Sequence, residues 1–178
     1  MNRTRSARVA AASTVGAALV GLAVTAAPAQ AAPASQASVT ATLASVRAAT
    51  AKYHDVATAI ADGYVPSDHC EASPTGTMGF HYINYGRLMG TDVTQPPILL
   101  YVPSPDGGVR LVGVEYFHVD ADQDLSTDDD VPSLFGQRFN GPMLGHEPGM
   151  PIHDDLHVWL WAHNPNGMFA QWNPSVSC

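Results

Sequence analysis

Three short apolar segments each carry one ionisable residue. "MGFHYI" places His81 inside an apolar run, and "LVGVEYF" places Glu115 in a segment whose two faces are both mostly apolar. "LHVWLW" sets His157 opposite an aliphatic face and beside indoles. A lone carboxylate in a buried strand costs several kcal/mol unless it is paired or coordinates a metal. The economical expectation is that these groups meet one another, with imidazoles and a carboxylate converging from neighbouring strands on one ion. His153 lies four residues before His157 in "HDDLH". Residues i and i+4 share a face in a strand and in a helix, but in a strand they sit about 13 Å apart. Both reach one ion only if the chain bends near Asp154–Asp155. The expected ligand set is therefore His81, Glu115, His157 and His153, with Asp154 or Asp155 orienting an imidazole. Neutral imidazoles with one carboxylate suit zinc, manganese, iron or copper, not calcium. An open coordination position would permit Lewis-acid or redox chemistry. The alternative is two hydrogen-bonded core histidines, with Glu115 paired to Arg87, Arg110 or Arg138.

Two further patterns carry metal-ligand spacing. In "DADQDLSTDDD", Asp120, Asp122, Asp124, Ser126 and Asp128 match the first five ligand positions of a calcium loop. The match then fails, because position six is Leu125 and position twelve is Val131. Met143, His146, Met150 and His153 resemble methionine/histidine copper tracts. His146 is the reserve ligand for the histidine cluster, whereas His54, His69, His118 and His163 read as ordinary surface or core residues. G-x-S-x-G, H-E-x-x-H, Walker, dinucleotide and CxxCH motifs are all absent. Trp159, Trp161 and Trp172, with Phe80, Tyr82 and Tyr85, offer a different function. They would form the aromatic face of a metal-free extracellular binding module, helped by the long Gly/Pro-rich stretch 120–152. Neither reading fixes whether the protein is an enzyme.

These residues need a scaffold. Val39, Leu43, Val46, Tyr53, Ala57 and Ile60 recur at helical steps, capped by Ser38 or Thr40 and ended by Gly63. Residues 64–77 read as loop. Residues 78–84, 98–102 and 109–119 read as strands, the last two joined at 103–108 by an Asp-Gly turn into a hairpin. Residues 120–152 show no periodicity. Residues 156–163 alternate, with His157, Trp159, Trp161 and His163 on one face, and 168–172 is a candidate final strand. The predicted class is α+β: an N-terminal helix packed on a mostly antiparallel β-sheet or open β-barrel.

The first 31 residues read as a secretory signal peptide. Arg3, Arg5 and Arg8 precede an apolar run, and Ala29 and Ala31 give an A-x-A cleavage pattern. Residues 32–37 are expected to be a disordered lead-in and 38–178 a single domain. Of the eight basic and sixteen acidic residues, the signal removes three arginines and no acid, leaving a formal charge of −11. Such a chain should avoid nucleic acid and anionic membranes and attract cations. A metal or small-molecule ligand fits this balance, while oligomeric state is not encoded in any pattern here. Cys70 and Cys178 predict one disulfide in an oxidising compartment.

"KYHDVATAIADGYV", "MGFHYIN", "LVGVEYF", "HDDLHVWLWAHNPNGMF" and the closing "NPSVSC" together resemble a family of small secreted bacterial proteins with no assigned activity. The resemblance implies export and a single domain, and it carries no site residues across. A cupin-like centre is an analogy only, since the G-x5-H-x-H spacing is absent.

Overall fold

A computed structural model describes residues 35–146 and 149–178. The predicted signal peptide and the first part of the lead-in lie outside the described residues. Helix begins earlier than the apolar stripe predicts. Ser35 Oγ accepts a hydrogen bond from the Ser38 amide at 3.2 Å, so Ser35 caps α1 (Gln36–Thr50), not Ser38 or Thr40. Gln36 and Ala37 are thus helical, which shortens the expected lead-in. The expected single helix is also broken. A 3₁₀ turn spans Ala51–His54, and Asp55 then caps α2 (Val56–Ala61) by accepting from the Ala57 amide at 3.0 Å. Val39, Val46, Tyr53 and Ala59 are buried, whereas Ile60 is 54% exposed because the break turns α2 relative to the stripe.

Nine strands follow among the described residues: β1 (Val65–Pro66), β2 (Glu71–Ser73), β3 (Gly76–Ile83), β4 (Ile98–Pro103), β5 (Val109–Val119), β6 (Ser133–Leu134), β7 (Gln137–Arg138), β8 (Asn140–Met143) and β9 (His153–Val158). Seven form one open sheet in the order β1-β3-β4-β5-β9-β8, with β2 also on β3, and every pairing is antiparallel. No closed barrel forms among the described residues. The β4–β5 hairpin turns at Ser104–Gly108 as its Asp-Gly signal predicts. Two segments read as loop contain strand: β1 and β2 in 64–77, and β6 to β8 in 120–152. These strands have two to four residues, too few to show a period.

The two faces of the sheet bury different things. On one face Tyr82, Leu99, Tyr101, Val114, Tyr116, Leu156 and Val158 pack against Val39, Val46, Tyr53, Ala59 and Tyr64 from the helical segment. The Tyr101 hydroxyl donates to the Tyr53 carbonyl at 2.6 Å and fixes the helical layer in place. On the other face a smaller core joins Ile83, Ile98, Leu100, Val102, Val112, Trp159 and Val176. Cys70 and Cys178 form a disulfide across 108 residues of sequence, as expected, and hold the C-terminal segment beside β2.

β9 spans residues 153–158, not 156–163 as the alternation predicts. Beyond Val158 the chain turns, and the amides of Trp161 and Ala162 both donate to the Val112 carbonyl. The alternation therefore does not persist, and the tryptophans part company. Trp159 joins the smaller core, while Trp161 packs on the helical side under the Arg47 guanidinium, 4.2 Å from its ring centroid. The single aromatic face expected of a binding module is not built. The expected final strand at 168–172 is also missing. That segment is made of turns, and only Asn173 bridges to Thr77.

Candidate metal centre

Strand register puts the site on the face opposite the helices. Glu115 pairs directly with His157 across β5 and β9, and Phe117 with Asp155 and Val119 with His153 follow on the same face. On β3, His81 pairs with Leu100 of β4, which pairs with Gly113 of β5. His81 and Glu115 thus sit on strands separated by β4. Gly113 follows a register shift in the β4–β5 ladder. A Cβ there would lie 2.8 Å from the Val158 carbonyl and 3.3 Å from Leu100 Cδ1, so only glycine lets β9 approach this closely.

His81 Nε2 lies 3.0 Å from Glu115 Oε2, and His157 Nε2 lies 3.6 Å from the same oxygen. One ligand atom from each of His81, Glu115 and His157 lies within 4.8 Å of the other two. All three side chains are buried. Yet Glu115 Oε2 and both His157 nitrogens have no hydrogen-bond partner. His81 Nε2, Glu115 Oε2 and His157 Nε2 approach without the geometry of a hydrogen bond and lie close enough for one ion to reach. Buried polar atoms are ordinarily satisfied; an ion between the three groups would satisfy Glu115 Oε2 and His157 Nε2, while His157 Nδ1 faces Asp155 Oδ1 at 3.3 Å.

Electrostatics agree with the geometry. Burial alone would raise the Glu115 carboxyl, but the neighbouring His157 and His81 outweigh it and hold it below the usual carboxylate range. Burial alone would lower the His157 imidazole, but the Glu115 and Asp155 carboxylates outweigh it and push it up to about 9. Among the described residues no arginine pairs with Glu115. Arg87 donates to Tyr64 and Tyr53, Arg138 pairs with Asp128, and Arg110 is exposed on β5 opposite Val102.

The remaining candidates divide by face. Asp155 is on the site face, with Oδ1 3.3 Å from His157 Nδ1 and accepting from Asn140 Nδ2 at 3.4 Å. Asp154, the other expected orienting carboxylate, points through the sheet and meets His118 Nδ1 at 3.0 Å. Alternation along β9 decides between them. His153 is buried with Nε2 unpartnered, but it is not among the three groups that share the 4.8 Å cluster. Its ring stacks on Phe117 at 4.8 Å and meets His146 edge-on at 5.4 Å. β9 runs without the bend that would bring His153 to the same ion. His146 is exposed, and its ring also lies 6.4 Å from that of His81. Of the methionine/histidine tract, Met143 Sδ accepts from Gln171 Nε2 and Met150 lines an apolar cavity. That cavity, of about 380 Å³, is also lined by Ile83 and Phe117, two residues along from His81 and Glu115 on the same face. The calcium-type loop keeps Asp120 and Asp122 together but sends Asp128 to Arg138.

The His118–Asp154 pair was not foreseen. Its only signal in the sequence is that His118 and Asp154 fall on the polar positions of two strands, and pairing them requires the β5–β9 register.

No protein-family model, curated protein or solved structure matches this chain. The functional reading therefore rests on the site itself.

Proposed function

We propose that this is an exported protein that binds one divalent transition metal ion through His81, Glu115 and His157. The observation that carries the reading is the buried convergence of three ligand-type atoms, with the Glu115 and His157 atoms lacking other partners. Two imidazoles and a carboxylate suit zinc, manganese, iron or copper. Three protein ligands leave a tetrahedral ion one open position, the arrangement typical of catalytic rather than structural zinc sites. Such an ion would act as a Lewis acid or, if redox-active, as an electron carrier. Asp155 would hold the His157 ring through Nδ1 and strengthen its Nε2 as a ligand. His153 and His146 lie beyond the three ligands and would pass protons towards solvent.

Export is supported by the N-terminal pattern and by the Cys70–Cys178 disulfide, which suits an oxidising compartment. No helix among the described residues is long and apolar enough to cross a membrane. N-terminal sequencing of the exported protein should begin at Ala32. A metal-free binding module is the competing reading, but the separation of Trp159 from Trp161 removes its shared surface.

Elemental analysis of untagged protein tests the proposal. One equivalent of a transition metal is expected in the wild type and its loss in His157→Ala. No metal in the wild type, with no metal-induced rise in Tm, would leave a buried Glu–His charge pair and overturn the reading.

A further inference from the structure

β5 and β9 bring a second ionisable pair together on the face opposite the metal ligands. His118 lies directly across from Asp154 in the register, and its Nδ1 is 3.0 Å from Asp154 Oδ2. The Asp154 side chain is 0% exposed, yet its Oδ1 has no hydrogen-bond partner. The neighbouring strand leaves room for this carboxylate. A Cβ at Gly141 would lie 2.9 Å from Asp154 Cα and 3.0 Å from its Cγ, so only glycine fits on β8 at this point. A carboxylate buried with one imidazole for a partner is costly to desolvate, and such a pair stabilises a fold little better than apolar residues would. Its effect on the imidazole is specific. A carboxylate only accepts, so in the neutral ring the proton sits on Nδ1 and Nε2 keeps its lone pair.

His118 is 37% exposed and lines a recess of about 200 Å³. Val93, Pro97, Leu134 and Phe139 give that recess apolar walls. The other two titratable groups that line it are engaged. Asp92 accepts from Thr94 and Gln95, and the Tyr116 hydroxyl donates to the Val93 carbonyl at 2.6 Å. His118 is therefore left to meet a ligand. An apolar cavity of about 150 Å³ is enough to hold benzene, so the recess has the size of one ring with a small substituent.

We propose that this recess is a second small-molecule site and that it takes a single-ring phenol. The ring lies among the apolar walls, and the hydroxyl donates to His118 Nε2. Asp154 is a positioning residue, which holds the imidazole in the tautomer that accepts. The donor is a neutral one, because an anion would be repelled by Asp92 at the rim and by Asp154 behind the imidazole. A plain hydrocarbon would fill the walls but leave the lone pair unmet. The inference does not rest on the transition metal, since the two sites lie on opposite faces of the sheet.

Titration with phenol and with benzene, followed in heteronuclear NMR spectra, tests this. Phenol should shift the His118 ring and the Leu134 methyls together, with half-saturation at ~1 mM. It should bind at least about fivefold more tightly than benzene, the net worth of one hydrogen bond. His118→Phe keeps a ring but removes the acceptor. It should bring phenol down to the affinity of benzene and leave benzene unchanged. Asp154→Asn should narrow the preference as well, because an amide can donate to Nδ1 and favour the other tautomer. A purely structural Asp154 would weaken both ligands alike, which would overturn its role. EDTA should change neither affinity, and a phenol response that depends on bound metal would place the ligand elsewhere and refute the site. No saturable shift at ~20 mM phenol, well above the expected affinity, also refutes it. So would equal affinity for phenol and benzene in the wild type, or an undiminished phenol preference in folded His118→Phe.

Discussion

His81 and Glu115 meet at 3.0 Å across a strand that separates them. Neighbouring strands lie about 4.8 Å apart, so their backbones are about two strand spacings from one another. Both side chains must lean over β4 to touch, and β5 brings Glu115 against His157 on its other side. A carboxylate so placed serves as the hub of the cluster, and its removal should be felt by both histidines.

Glu115→Gln is expected to abolish stoichiometric metal binding, since the neutral amide is a far poorer ligand than the carboxylate. Asp155→Asn is expected to weaken the metal by about 10–100-fold, the range seen when a group supporting a ligand is changed. Competition with a chromophoric chelator reads both. Equal affinity in all three proteins would remove Glu115 and Asp155 from the site.

The metal-free protein should lose stability as pH rises. His157 has a folded pKa raised to about 9 from its ordinary 6.5. Its contribution is thus fully present below about 6.5 and lost as pH climbs through about 9. Glu115 has a lowered folded pKa, so its contribution is present above its ordinary 4.5 and lost as pH falls through the folded value. Urea midpoints with EDTA should therefore be highest between these ordinary values. Metal affinity should move the opposite way across pH 6.5–9, because binding requires neutral His157 and displaces its proton. Parallel pH trends with and without metal would contradict this assignment.

Reducing the Cys70–Cys178 bond should lower the urea midpoint. The closed loop spans 108 residues, for which the chain-entropy description gives about 4–5 kcal/mol. The C-terminal segment should detach first, since its other anchors are few: the Thr77–Asn173 bridge, the bonds from Asn173 Nδ2 to the His163 carbonyl and from Asn164 Nδ2 to the Trp172 carbonyl, and buried Val176. Hydrogen exchange of the Thr77 and Asn173 amides under reducing conditions measures that release.

Gly113→Ala should cost about 1–3 kcal/mol by overpacking and also weaken the metal. The new methyl would meet the Val158 carbonyl, next to His157 on β9. Chemical denaturation and chelator competition on one preparation report both effects. A stable variant with unchanged affinity would show that the close approach of β9 is not needed to hold the site.

The residue types already name the chemistry. His81, Glu115 and His157 are recognisable because an ionisable group in an apolar β-segment must find a partner, and that follows from desolvation alone. The β4–β5 hairpin and the disulfide are legible for similar local reasons, a turn signal and a pair of cysteines. Register is not local. A shift of one residue sends every side chain to the opposite face, so only the folded sheet decides that Asp155 serves the site while Asp154 turns away to His118. The same holds for Trp159 and Trp161, whose alternation ends when the chain turns at Val158. The break at Asp55 is intermediate: the capping residue is visible in the sequence, but the apolar stripe runs through it. Asp130 reaches the Ala121 amide only because the loop closes on itself, a consequence that spacing along the chain does not carry.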